Sequence, residues 1–87
     1  MNPKVRAVTP LPKHRLLLDF LNGEQRVFNL TPYLSRGVFQ ILKNPTAFAS
    51  ARVVAGSVEW PGGIDLSYDT LYVESLPPEN LTSDARS

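Results

Sequence analysis

The side chains with most capacity for chemistry in this 87-residue chain are Asp65 and Asp69, four apart in the run WPGGIDLSYDTLY that extends from Trp60 to Tyr72. Two neighbouring carboxylates can share a proton or hold an oxygen-seeking cation, and His14, the single histidine, is the only conventional proton shuttle near neutral pH. Together they would form a small acid/base constellation. Each member also has a simpler role. Oxygen-ligand cations want several convergent ligands, and although Glu59 and Glu74 are near in sequence, nothing has the spacing of a calcium loop. Asp65 then satisfies loop amides and Asp69 sits at a helix start. His14 stands between Lys13 and Arg15, where a surface position and a neutral ring are expected.

Nucleophilic catalysis would need Ser35, Ser50, Ser57, Ser67 or a threonine beside that histidine, and no G-x-S-x-G elbow occurs. PGGID lacks the spaced glycines and following lysine of a phosphate loop. The absence of cysteine removes thiol chemistry, disulfides and thiolate zinc sites together. No catalytic residue, metal site or cofactor is therefore expected, and Trp60, Pro61, Gly63, Asp65, Asp69 and Tyr72 remain as candidate interaction or motif residues. Trp60 is read as a core anchor, not a stacking platform, with its indole N–H donating to a backbone carbonyl of the next turn.

The elements that position these residues must come from one small domain, because a second core would need about as many residues again. Hydrophobic residues make up 43% and charged residues 20%. Such a chain builds a small core of marginal stability, so a partner, another small protein or a second copy, is a natural expectation. A net charge of +1 gives no field for phosphate backbones, and direct nucleic-acid binding is not expected. Lys4, Arg6, Lys13, Arg15 and Arg26 are read as a solvated basic face. The charged start and the lack of an apolar run of about 20 residues point to a cytoplasmic protein without a membrane span. The Asn80-Leu81-Thr82 triplet carries no weight without a secretion signal. Residues 1–76 are read as the domain and 77–87, which open on Pro77-Pro78, as a flexible polar tail.

KVRAVTP is read as a strand with Val5 and Ala7 on one side and Arg6 and Val8 on the other. In HRLLLDFLNGEQRVFNL, Asn22-Gly23 suits a two-residue turn, which pairs Asp19 with Arg26, Leu18 with Val27 and Leu17 with Phe28. Apolar groups then fall on both faces of a sheet that is at least partly covered twice. Thr31-Pro32 starts a short helix that Gly37 interrupts; Val38, Ile41 and Leu42 follow at helical spacing, and Asn44-Pro45 repeats the cap-and-proline device. RVVAGSVEW is read as a hairpin pairing Ala55 with Val58 and Val53 with Trp60. Gly62-Gly63 reverses the chain and Ser67 caps a helix with Tyr68, Leu71 and Tyr72 on one stripe, TLYVESL as a strand being the alternative. The expected fold is α+β: a mostly antiparallel five-stranded sheet, in βββ-α-α-ββ-α order, with short helices packed on it.

V-x-P-L, RLLLDFLNGEQRVFNLTPYL, GVFQIL, PTAFASARV and VEWPGGIDLSYDTLY together resemble the bacterial family called domain of unknown function twenty-four forty-two. That family's pattern has a hairpin ending in F-x-x-G-E, a D-L-x-x-L helix entry and a closing W-P-x-G-x-D-L-x-x-D-x-L-Y. Trp60, Pro61, Gly63, Asp65, Leu66, Asp69, Leu71 and Tyr72 match the closing motif position by position, over a resemblance spanning about residues 4 to 75. Asn29 stands where the pattern usually has aspartate, and the AGS turn is short for the family. The resemblance implies a small uncharacterised α+β domain, sometimes fused to a helix-turn-helix domain and often encoded beside another small protein in a toxin–antitoxin-like arrangement. A non-enzymatic protein-interaction or regulatory module is the expected function. The alternatives are a small ligand-binding or enzymatic domain using Asp65 and Asp69 with His14, and a DNA-associated regulator.

Overall fold

A computed structural model describes residues 1–78; most of the expected tail therefore lies outside the described residues. The fold is α+β, with six strands in two sheets in place of the single five-stranded sheet. The first sheet has order β1-β2-β3, formed by Val5–Leu11, Arg15–Phe20 and Gln25–Asn29, and the second has order β4-β5-β6, formed by Arg52–Val54, Ser57–Trp60 and Ile64–Leu66, all antiparallel. Between them run 3₁₀ segments at Thr31–Tyr33 and Gly37–Lys43 and the short helix α1, Pro45–Phe48; α2, Tyr68–Glu74, follows. The sheet that was not expected rests on β6. Ile64-Asp65-Leu66 is a three-residue strand whose buried-exposed-buried alternation is too short to stand out next to two glycines.

The β2–β3 register differs by one residue from the expected pairing, because the loop is three residues long. The Phe20 amide donates to the Glu24 carbonyl at 2.8 Å, the Gly23 amide donates to the Phe20 carbonyl at 2.9 Å, and Gly23 has φ +89°. This is a turn closed by a left-handed glycine, a geometry that Asn-Gly serves as well as the two-residue turn. Leu16 is opposite Phe28, Leu17 opposite Val27 and Leu18 opposite Arg26. A one-residue slip exchanges faces, so Phe28 joins Leu16, Leu18 and Phe20 on the core side. On the far side Val27, bridged to Leu76, is buried, Leu17 and Asp19 are half-buried, and Thr9 and Gln25 are exposed. The second face of the sheet is thus covered in part. A register shift between Val5 and Ala7 puts Val5, opposite Phe20, on the same face as Val8, opposite Leu18, correcting the Val5/Ala7 face assignment.

The β4–β5 turn is Ala55-Gly56, with φ +52° and +83°, and pairs Val53 with Val58 and Val54 with Ser57. The shift from the expected register is two residues, so the faces are preserved and Val58 and Trp60 still point inward. Both sheets deliver side chains to one core: Leu16, Leu18, Phe20 and Phe28 from the first, Val58, Trp60, Ile64 and Leu66 from the second, closed by Leu42, Phe48 and Leu71. The sheets meet where the Val5 amide donates to the Gly56 carbonyl at 2.8 Å.

The first 3₁₀ segment starts from Leu30 without a side-chain cap; Asn29 Oδ1 accepts from the Thr31 amide at 3.1 Å in the turn ahead of it, where the Thr31 hydroxyl was the expected acceptor. Asn44 caps α1 as its sequence suggests, accepting from Thr46 and Ala47 with Pro45 following.

Candidate functional site

Trp60 is 1% exposed, and its Nε1–H donates to the Phe48 carbonyl at 2.9 Å. The partner is a backbone carbonyl as expected, but it lies twelve residues upstream, at the end of α1, not in the next turn. Pro61, Gly62 and Gly63 form the loop between Trp60 and its cross-strand partner Ile64, with Gly63 at φ +80°. Asp65 is exposed on β6 directly opposite Glu59, which in turn meets Arg52 at 3.9 Å. It is a strand residue, not the expected loop cap. Ser67 caps α2 through the Thr70 amide, and Asp69 in the first turn accepts from Asn2 Nδ2 at 3.1 Å.

His14 is half-buried, less exposed than its charged neighbours suggested. It ends the β1–β2 turn with φ +56°, its ring lies 5.0 Å from that of Phe48, and Nε2 is buried without a hydrogen-bond partner. Its carbonyl accepts from the Leu30 amide at 2.9 Å. Asn2, which holds Asp69, precedes β1, and His14 follows it; seven strand residues separate the two by about 20 Å at ~3.3 Å per residue. Groups that act on one substrate need near hydrogen-bond reach of a common point. Asp69 and His14 have no such point, and among the described residues no three of the metal-ligating types converge.

What the structure does bring together is the F-x-x-G-E hairpin tip and the final tyrosine of the closing motif. The Tyr72 hydroxyl donates to Glu24 Oε1 at 2.8 Å, and the same oxygen accepts from Asn22 Nδ2 at 3.0 Å. Arg26 lies 4.7 Å over the Tyr72 ring, meets Glu24 Oε2 at 3.2 Å, and donates to the hydroxyl and carbonyl of buried Ser75 at 2.7 and 2.8 Å. Phe20 meets the Tyr72 ring edge-on at 5.2 Å. The bonds from Asn22 and Tyr72, with help from Arg26, hold the Glu24 carboxyl below its ordinary range, and the bond to Glu24 pushes the Tyr72 phenol up. Every partner in this cluster is satisfied by another member. It ties α2 to the hairpin.

An open feature lies elsewhere, on the 3₁₀ helix Gly37–Lys43. Three residues per turn superpose positions i and i+3. Phe39 and Leu42 therefore turn to the core, while Val38 and Ile41 share the outer face at 57% and 56% exposure. An α-helical period had grouped Val38, Ile41 and Leu42, and that grouping is corrected. A groove of about 510 Å³ runs beside Ile41 and Leu42, floored by Ala47 and bounded by Asn44, Ser50 and Pro61. Pro61 of the closing motif thus faces the 3₁₀ limb. The signal for this surface was present as Val38 and Ile41 three apart, but only a period of 3.0 makes it visible.

Residues 5–77 match the family described as Protein of unknown function (DUF2442). No curated protein and no solved structure matches the chain. No helix among the described residues is long and apolar enough to cross a membrane.

Proposed function

The chain belongs to the DUF2442 family, whose description assigns no activity, and from its own geometry we propose that it is a non-enzymatic protein-interaction module that docks another small protein on the outer face of its 3₁₀ limb. The observation that carries this is the pair Val38 and Ile41, two aliphatic side chains held more than half exposed on an ordered turn beside an apolar groove, in a domain that buries Leu42, Phe48 and Trp60 directly beneath. Leaving such groups in water loses the ~25 cal/mol per Å² that burial returns, and a partner that covered both would recover it. The separation of His14 from Asp69 and the self-satisfied Tyr72 cluster favour an interaction role over chemistry.

The gene arrangement implied for the family makes a neighbouring gene product the first partner to try. Wild-type chain and Ile41→Asp serve as paired baits in cells of the source organism, and the recovered protein is purified and titrated against both. A protein that binds the wild type and binds Ile41→Asp at least about tenfold more weakly supports the proposal. A protein that binds both equally, or none at all, contradicts it.

A further inference from the structure

Charge is divided along this chain in a way that its net value of +1 conceals. From Gln25 to Val58 there is no aspartate or glutamate, and the charged residues are Arg26, Arg36, Lys43 and Arg52. Arg26 is taken up by Glu24 and Ser75, and Arg52 faces Glu59. The remaining two stand at the two ends of the 3₁₀ helix that carries Val38 and Ile41: Arg36 immediately before it and Lys43 as its last residue, both exposed. At ~2.0 Å of rise per residue, seven residues separate them by about 14 Å along the axis; on a three-residue period Arg36 falls in the row of Phe39 and Leu42 and Lys43 in the row of Gln40, so the two flank the Val38 and Ile41 row from either side. Arg36 is steadied over the Tyr33 ring at 4.8 Å, which orders its stem and leaves hydrogen-bonding edges of its fork available.

Resting on the docking surface proposed above, we infer that the segment bound there is an acidic-aliphatic one: one or two aliphatic side chains that cover Val38 and Ile41 and enter the groove, flanked by carboxylates that meet Arg36 and Lys43. An extended segment advances ~3.3 Å per residue, so the two carboxylates stand about four positions apart with the aliphatic anchor between them. Charge complementarity of this type sets specificity and association rate, while the buried aliphatic contact supplies affinity. A basic segment would place like charges against both ends of the helix and be rejected.

The test is selection from a random dodecapeptide display library on the immobilised intact chain, followed by titration of the enriched peptides by fluorescence anisotropy. Enrichment of peptides with an aliphatic residue flanked by Asp or Glu is expected. Their binding should weaken about tenfold for Lys43→Glu and for Ile41→Asp, and fall as NaCl is raised from about 50 to 500 mM. Lys43 is exposed and remote from the core, so that variant tests the charge term without threatening the fold. Peptides that need Ile41 but carry no acidic bias, and bind Lys43→Glu as tightly as wild type, would overturn this inference and leave the docking surface standing. No enrichment, or peptides indifferent to Ile41→Asp, would overturn both. A dimer of the chain that Ile41→Asp dissolves would overturn the inference by making a second copy the occupant.

Discussion

The phenolic hydroxyl of Tyr72 donates to Glu24 Oε1 across 2.8 Å, joining residues 48 apart in sequence. Tyr72 lies within α2 and Glu24 immediately precedes β3, so the bond fastens α2 over the first sheet. The FLNGE hairpin tip and the WPGGIDLSYDTLY segment are thus two halves of one clasp.

The clasp should be visible in the pH dependence of stability. Glu24 has its carboxyl lowered from 4.5, so the folded state binds its proton less readily than the unfolded chain. Its contribution is present above that value and is lost as pH falls through the lower folded value. Glu24→Gln should flatten the acid limb of a urea-midpoint profile below about pH 4.5. Tyr72 is raised from 10.0, so its contribution is present below pH 10 and is lost as pH rises above it. Tyr72→Phe keeps the ring against Phe20 and Arg26 and should lessen the alkaline loss. Tyr33, raised chiefly by burial and by its bond to Glu74, should still carry part of that slope. Profiles identical to wild type would show that the bond is absent in solution.

Trp60 is the chain's only tryptophan and is 1% exposed, so its emission reports the core directly. Trp60→Phe leaves the Phe48 carbonyl without its indole donor. That carbonyl keeps only the longer 3.3 Å bond from the Ala51 amide, and a lost hydrogen bond of this kind costs about 0.5–1.5 kcal/mol before the cavity is counted. A fall in the unfolding free energy of at least that size, measured by urea titration followed by circular dichroism, is the expected outcome.

Gly56 and Gly23 both have positive φ, but only Gly56 is crowded. A Cβ there would lie 2.7 Å from Lys4 Cβ, whereas Gly23 has open space. Alanine at either position carries about 1–2 kcal/mol of left-handed strain. Gly56→Ala also has to displace the stem of Lys4, next to the Val5 to Gly56 bond that joins the sheets, and should be the more destabilised of the two by about 1 kcal/mol or more. Thermal unfolding of the two variants side by side decides it.

Because Val38 and Ile41 are exposed, replacing them should not unfold the isolated chain. Ile41→Asp is expected to stay within about 0.5 kcal/mol of wild type, whereas Leu42→Ala, at a 1% exposed neighbour, should lose about 2–5 kcal/mol. Equal losses in a urea titration would mean that Ile41 belongs to the core.

How much of this could be read in advance followed from how each signal degrades under small errors. Caps and corners were legible because single side chains determine them: Asn44-Pro45 and Ser67 stand where their chemistry places them. Registers were less so. At β4–β5 the error was two residues and Val58 and Trp60 kept their faces; at β2–β3 it was one, and Phe28 changed sides. Asn22-Gly23 fits turns of both lengths, so the residues themselves did not decide. β6 was missed because three residues carry too little pattern. The exposed pair Val38 and Ile41 was missed because 3₁₀ and α periods differ by only 0.6 residue per turn, enough over one turn to move a side chain between solvent and core. The Tyr72–Glu24 clasp depends on contacts between distant segments, which no local pattern encodes.

The most direct test of the interaction role is a photo-cross-linking amino acid placed at position 41, with a second chain carrying it at Thr9, an exposed residue of β1, as the control, each expressed in cells of the source organism. A discrete adduct of the chain with one other protein from position 41, absent from position 9, is the expected result. No adduct from position 41, or the same diffuse ladder from both positions, would contradict it.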